Sequence, residues 1–103
     1  MVTEADRQIG RIVERLDALG LADTLLIVSS DNGGLRAVHR RTGARRGFKG
    51  SVFEGGIRVP MIARWPGQIE PGRTSDLPSA AWDFMATLAD LAGVPAPEET
   101  DGI

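Results

Sequence analysis

The chain has 103 residues, of which 42% are hydrophobic and 25% are charged, and its formal net charge at pH 7 is −2. This length allows one domain with a modest core, and the composition is ordinary for a globular protein. The small negative charge offers no general attraction to nucleic acid or to an anionic membrane. The absence of cysteine excludes disulfides and thiolate metal sites.

Targeting and membrane-spanning signals are not recognised in the sequence. The apolar runs are too short to span a bilayer, and Met1 leads into a polar stretch that does not resemble a signal peptide. We therefore expect neither nucleic acid nor a membrane among the partners of the chain.

The first predicted element is an amphipathic helix over residues 4–19. Its apolar residues recur at the spacing of one helix face and are Ile9, Ile12, Val13, Leu16 and Leu19. Thr3 is the predicted N-cap, and Gly20 is predicted to end the helix.

A strand is predicted next, over residues 25–28, where four apolar residues follow one another without alternation. Such a run is typical of a strand covered on both faces, as in a parallel sheet. A helix followed by a buried strand indicates an α/β fold. Residues 33–50 contain five glycines and are predicted to form a long loop, which in a compact domain is usually functional or disordered.

The second half of the chain contains one predicted strand and one predicted helix. The strand covers residues 59–65, with Pro60 at its start or on an edge because proline lacks a backbone donor. The helix covers residues 84–92, with Asp83 as its N-cap and Gly93 as its end.

Asp31 and Asn32 directly follow the first predicted strand. Ligands of open α/β sheets collect at the carboxyl ends of strands, and carboxylate and amide oxygens suit Ca²⁺ or Mg²⁺. Asn-Gly after an apolar run is also typical of a tight turn, and for this short motif alone the turn is the stronger interpretation.

Half of the basic residues lie within residues 36–49, without an acidic residue among them. They are Arg36, Arg40, Arg41, Arg45, Arg46 and Lys49. Such a cluster is suited to binding a sulfate ester, a sulfated polymer or a nucleic acid backbone. Most of its arginines are nevertheless interpreted as solvent-exposed side chains of a loop. Nucleic acid is disfavoured because Phe48 is the only aromatic residue among them. The single histidine, His39, is interpreted as a surface side chain.

The segment from Glu54 to Pro60, Glu-Gly-Gly-Ile-Arg-Val-Pro, is interpreted as scaffold. Its paired glycines permit close approach of backbone segments. Glu54 and Arg58 are predicted to form a buried ion pair that fixes the return of the loop to the sheet.

Three sequence segments, by their order and spacing, resemble those of a known protein family. They are Ser-Asp-Asn-Gly-Gly from Ser30, Lys-Gly-Ser-Val-Phe-Glu-Gly-Gly-Ile-Arg-Val-Pro from Lys49, and Arg-Trp-Pro-Gly from Arg64. Together they resemble the later part of the catalytic domain of sulfatases, the arylsulfatase-like branch of the alkaline-phosphatase superfamily. The resemblance implies one partial α/β domain over residues 1–103, with a few-stranded sheet and flanking helices. Residues 94–103 are predicted to be a flexible tail, because the chain is acidic and contains proline there.

The resemblance also implies a chemistry, the hydrolysis of sulfate esters with a divalent cation, Ca²⁺ or alternatively Mg²⁺. By this resemblance Asp31 and Asn32 are metal ligands, and Lys49 is a catalytic group that contacts the sulfate of the substrate. Arg46 matches a position that is often arginine and is assigned to substrate binding. The formylglycine nucleophile of the family arises in an earlier motif that this chain lacks, so we expect the chain to be inactive alone.

Two alternatives remain open. A phosphoesterase of the same superfamily would use two metals, and Asp-Asn-Gly in place of Asp-His-Gly favours the sulfatase branch. A non-enzymatic module would keep the basic loop as an anion-binding or structural element. Unpaired sheet edges of a partial domain would allow dimerisation.

Overall fold

The computed structural model describes residues 2–36 and 42–103. In chain order its elements are α1 (Val2–Ala18), β1 (Leu26–Ser29), α2 (Glu54–Ile57), β2 (Met61–Arg64) and α3 (Asp83–Leu91). The mixed helix and strand content is that of a partial α/β domain, as the sequence predicts. The chain divides into two compact units, Met1–Arg73 and Thr74–Ile103.

Helix α1 confirms the first predicted helix and differs from it at the amino end. The helix begins at Val2, so the prediction of Thr3 as N-cap is wrong; Thr3 lies within the first turn. Glu4 strengthens that turn by accepting a hydrogen bond from Arg7 Nη2 at 2.8 Å. Its carboxylate also lies where the positive end of the helix dipole favours negative charge.

The carboxyl end of α1 is the predicted glycine stop. Gly20 has a φ of 70°, in the left-handed region that favours glycine. The amide of Leu21 donates to Leu16 O at 2.9 Å and that of Gly20 donates to Asp17 O at 3.1 Å. These two bonds form a Schellman motif, which satisfies carbonyl groups that the helix itself leaves unpaired.

The two strands form one antiparallel pair, with Leu26 opposite Arg64 and Ser29 opposite Met61. The expectation of a parallel sheet is therefore wrong for the described residues. A parallel pair requires a crossover that carries the chain back along the sheet, whereas here the connection returns β2 beside the end of β1. Ser29 Oγ donates to Pro60 O at 3.2 Å at this point. Pro60 immediately precedes β2, in agreement with its predicted place.

Helix α3 confirms the last predicted helix, although Asp83 is its first residue and not its N-cap. The Asp83 carboxylate accepts hydrogen bonds from the amides of Ala80 at 2.7 Å and Ile103 at 3.5 Å. Gly93 ends the helix with a φ of 68°, and the amide of Val94 donates to Ala89 O at 3.0 Å.

Buried apolar side chains contribute little to the part of the fold that carries the site. Ala89 in α3 is the one buried hydrophobic residue among the described residues. Helix α1 buries none, and its Ile12 remains 51% exposed. Between α1 and β2, Asp17 Oδ1 and Arg64 Nη2 lie 3.8 Å apart. Backbone hydrogen bonds must therefore position the site.

The helices of residues 2–36 and 42–103 do not reach the length and apolar character that crossing a bilayer requires.

Substitution by alanine should have opposite effects at Gly10, within α1, and at Gly20, which follows its carboxyl end. Gly20→Ala is expected to destabilise the helix by about 1–2 kcal/mol, because an alanine is strained in the left-handed conformation. Gly10→Ala should stabilise it by about 0.5–1 kcal/mol, because residue 10 is mid-helix and an added Cβ meets nothing within 4 Å. Urea unfolding followed by far-ultraviolet circular dichroism measures both, and a shift of the same sign would contradict the assignment.

Candidate active site

Three backbone segments meet where β1 ends. They are residues 31–34 after β1, residues 46–49, and residues 54–57 of α2. The amide of Gly33 donates to Gly56 O at 2.8 Å, the amide of Gly55 donates to Arg46 O at 2.7 Å, and the amide of Lys49 donates to Gly34 O at 2.9 Å. Each segment is thus bonded to both others, and we refer to Gly33, Gly55 and Gly56 at this junction as the glycine crossing.

The glycine crossing leaves no room for side chains. A Cβ on Gly33 would overlap Gly55 O, one on Gly55 would lie 2.7 Å from Arg46 O, and one on Gly56 would lie 2.7 Å from Phe48 O. Real Cβ atoms essentially never approach other atoms within 3.0 Å. Because the obstructing atoms belong to the backbone, a larger residue would force the segments apart. The predicted scaffold role of the paired glycines is realised in this way.

Lys49 lies in a tight turn beside the crossing. The amide of Phe48 donates to Ser51 Oγ at 3.1 Å, and the amide of Ser51 donates to Phe48 O at 2.9 Å. Gly50 follows with a φ of 88°, which only glycine adopts without strain. The turn holds Lys49 by its backbone against the loop of Asp31 and Asn32, while its side chain is exposed.

The loop after β1 has the tight bend that its Asn-Gly sequence suggests. Ser30 Oγ donates to Asn32 O at 3.0 Å, and Asn32 Nδ2 donates to Gly33 O at 3.1 Å. With the amide nitrogen so engaged, Asn32 Oδ1 is left to accept a donor or to ligate a cation. Asp31 is exposed and Asn32 is half-buried.

The donor set of this loop fits a cation only as part of a larger shell. Ca²⁺ takes 6–8 oxygen ligands, and Asp31 and Asn32 supply one carboxylate and one amide oxygen. Residues 2–36 and 42–103 bring no three His, Cys, Asp or Glu side chains together into a metal-binding group. The type of donor therefore suits Ca²⁺ or Mg²⁺, and the number does not complete a site.

Two arginines of the basic loop are held against aromatic rings, a contact that the sequence did not indicate. The Arg46 guanidinium carbon lies 3.8 Å from the centre of the Phe53 ring, and that of Arg36 lies 5.3 Å from the centre of the Phe48 ring. Such cation–π contacts attract the guanidinium to the face of the ring. His39, Arg40 and Arg41 lie outside the described residues.

Glu54 and Arg58 form the predicted ion pair, at 3.1 Å between Oε2 and Nη1, but both side chains are more than half exposed. The prediction that the pair is buried is wrong, because α2 buries its two glycines and leaves its charged residues at the surface. An exposed pair of this kind contributes about 0–1 kcal/mol.

A cleft of about 360 Å³ opens at the crossing, and we call it the Asn32 cleft. Its lining residues are Asn32, Gly33, Thr42, Arg45, Gly55, Arg58, Val59 and Pro60. Of the residues predicted for the site, Asn32 lines the cleft, while Asp31, Arg46 and Lys49 do not. Sequence reasoning missed Arg45 because it is one of six basic residues in a single loop.

Substitution of a glycine at the crossing should separate the backbone segments that are hydrogen-bonded there. Gly55→Ala is expected to break the hydrogen bonds between segments, because the new methyl group meets the carbonyl oxygens of residues 46 and 47. Amide hydrogen exchange at Gly33, Lys49 and residue 55 is the measurement, and protection there should be lost. Gly72→Ala is the control, because Gly72 has a positive φ but open space around it. Equal exchange in both variants would contradict the role of the crossing.

Comparison with known proteins relates the sequence of the chain to a family. The Sulfatase family model matches residues 1–94. The chain is 41% identical to human steryl-sulfatase over 95% of its length and 18% of that protein, and 42% identical to human arylsulfatase A over 94% of its length and 20% of that protein. It is 38% identical to an N-acetylgalactosamine-6-O-sulfatase from Bacteroides thetaiotaomicron over 96% of its length and 22% of that protein. The chain spans about a fifth of the length of these relatives. Because the family model matches most of its residues, the chain belongs to the sulfatase family.

Proposed function

We propose that the chain is a catalytic segment of an enzyme that hydrolyses sulfate esters. In this proposal Asp31 and Asn32 bind a divalent cation and Lys49 binds the sulfate group. The observation that carries it is the hydrogen bond from the Lys49 amide to Gly34 O, at 2.9 Å. It holds the turn of Lys49 against the loop of Asp31 and Asn32, in a chain that belongs to the sulfatase family.

Asp31 and Asn32 would hold the cation, which is Ca²⁺ in the first instance and Mg²⁺ as the alternative, with Asn32 contributing Oδ1. A bound cation would polarise the oxygens of the sulfate group. Its remaining ligands have to come from other residues, because a carboxylate and an amide fill only part of an oxygen shell.

Lys49 would neutralise charge on the ester oxygens. A lysine ammonium is a compact point charge, and its exposed side chain leaves it available to a ligand. The backbone bonds of its turn orient it before a ligand arrives, which is the condition under which such a group stabilises a transition state.

Arg46 would take part in substrate binding from its place on the Phe53 ring. A guanidinium stacked by its face on a ring keeps its N–H edge available for in-plane hydrogen bonds to an anion. With its guanidinium carbon 3.8 Å from the centre of the Phe53 ring, Arg46 would hold an oxyanion without losing its aromatic contact.

The nucleophile of the family, formylglycine, would supply the covalent step. It forms from a cysteine or sometimes a serine in a motif that no segment of these residues resembles, and the sequence has no cysteine. Charge stabilisation by Lys49 does not replace a step that divides hydrolysis into two easier reactions. The 103 residues alone are therefore proposed to be inactive.

Calcium binding by the isolated chain should be weak. We expect a dissociation constant of about 1 mM or more by calorimetry, because Asp31 and Asn32 provide too few oxygens for a tighter site. Asp31→Ala should abolish what binding remains, whereas Asp23→Ala, an exposed acid in another turn, should not change it. A micromolar site that persists in Asp31→Ala would contradict the assignment of these ligands.

Lys49→Ala is the test of the proposed catalytic role. In a complete sulfatase domain that contains this segment, the substitution should lower kcat about a hundredfold or more, because it removes one preorganised charge-stabilising group. Steady-state hydrolysis of an aryl sulfate measures the effect, and the unfolding midpoint should remain unchanged. Arg73→Ala, an exposed cation outside the site, is the matched control. Equal activity of the two variants, or unfolding of Lys49→Ala, would assign Lys49 to the scaffold.

A further inference from the structure

We propose that the Asn32 cleft binds a second anionic group of the substrate and that Arg45 supplies the charge for it. This inference rests on the proposed function and narrows it. The substrate class becomes polyanionic sulfate esters, which carry another sulfate or a carboxylate beside the sulfate that is hydrolysed.

The cleft has the size and lining of a site for such a group. Its volume of about 360 Å³ is near the lower end of the range of small-molecule sites. Arg45 and Arg58 bring N–H groups to its wall, and none of its lining residues within 2–36 and 42–103 carries a carboxylate. Val59 and Pro60 add apolar surface that can contact the carbon skeleton of a ligand. The lining therefore favours an anion on a small organic scaffold.

Arg45 differs from the other described arginines of this region in what surrounds its charge. Arg58 is paired with Glu54 at 3.1 Å, and Arg36 and Arg46 lie over phenylalanine rings. Within residues 2–36 and 42–103, Arg45 has neither a carboxylate nor a ring as partner. Its guanidinium is thus free to bind an oxyanion with two parallel hydrogen bonds.

Backbone hydrogen bonds restrain Arg45, which lines the cleft. The Arg45 amide donates to Thr42 O at 3.2 Å, and Thr42 Oγ1 donates to Arg45 O at 3.5 Å. The next residue, Arg46, accepts the bond from Gly55 that forms part of the glycine crossing. Arg45 is therefore adjacent to a residue whose backbone is held by the glycine crossing.

An anion at Arg45 is a different group from an anion at Lys49. Asn32 and Arg45 line the cleft together, whereas Lys49 is bonded by its backbone to Gly34 and does not line it. In this proposal, one ligand that engages both cations does so through two anionic groups, one at Lys49 and one at Arg45 in the cleft.

The test compares two sugars in nuclear magnetic resonance titrations of the whole ¹⁵N-labelled chain. The probes are a hexose bearing one sulfate and the same hexose bearing two. We expect the second sulfate to lower the dissociation constant about tenfold, as a charge-assisted hydrogen bond typically contributes. Arg45→Gln should bring the two constants together. Arg45→Lys should keep part of the difference, and Arg73→Gln should keep all of it.

The outcomes separate this inference from the proposed function. If the single sulfate shifts the Lys49 and Gly34 amides but the second adds no affinity, the cleft is not an anion subsite and the proposed function stands. If the gain depends on Arg45 while Lys49→Ala changes neither constant, the subsite stands and the role of Lys49 fails. An undiminished preference in Arg45→Gln, or no binding of either sugar, overturns the inference.

Discussion

The contact on which the site depends is the close approach of three backbone segments at Gly33, Gly55 and Gly56. Few apolar side chains are buried in the described part of this chain, so hydrophobic packing does not set the relative positions of these segments. Hydrogen bonds between backbone groups do so, and they form only because no Cβ stands between them. The Asn32 loop, the Lys49 turn and the cleft all take their places from this crossing.

The sequence predicted the elements that local chemistry determines. The apolar spacing of α1, the left-handed Gly20 and Gly93, and Pro60 at the entry to β2 each follow from properties of a few neighbouring residues. The strand direction was predicted wrongly, because an apolar run such as that of β1 shows burial but carries no information about its partner. The aromatic contact of Arg46 could not be predicted, since it depends on how a loop folds on itself.

The candidate site was predictable in part, because local sequence motifs identify some of its residues. Asp31, Asn32 and Lys49 stand out through motifs and a family resemblance, and their roles stay proposals that the structure supports by placing the Lys49 turn against the loop of the two ligands. Arg45 could not be singled out, because only the fold shows which arginine of the cleft has neither a carboxylate nor a ring as its partner.

Scalar couplings across hydrogen bonds test the glycine crossing most directly. A long-range HNCO experiment on the labelled chain detects the coupling between a donor nitrogen and the acceptor carbonyl carbon. The structure predicts three couplings, from the Gly33 amide to the Gly56 carbonyl, from Gly55 to Arg46 and from Lys49 to Gly34. If these couplings were absent while those within α1 were observed, the three segments would not be joined, and this account of the site would be contradicted.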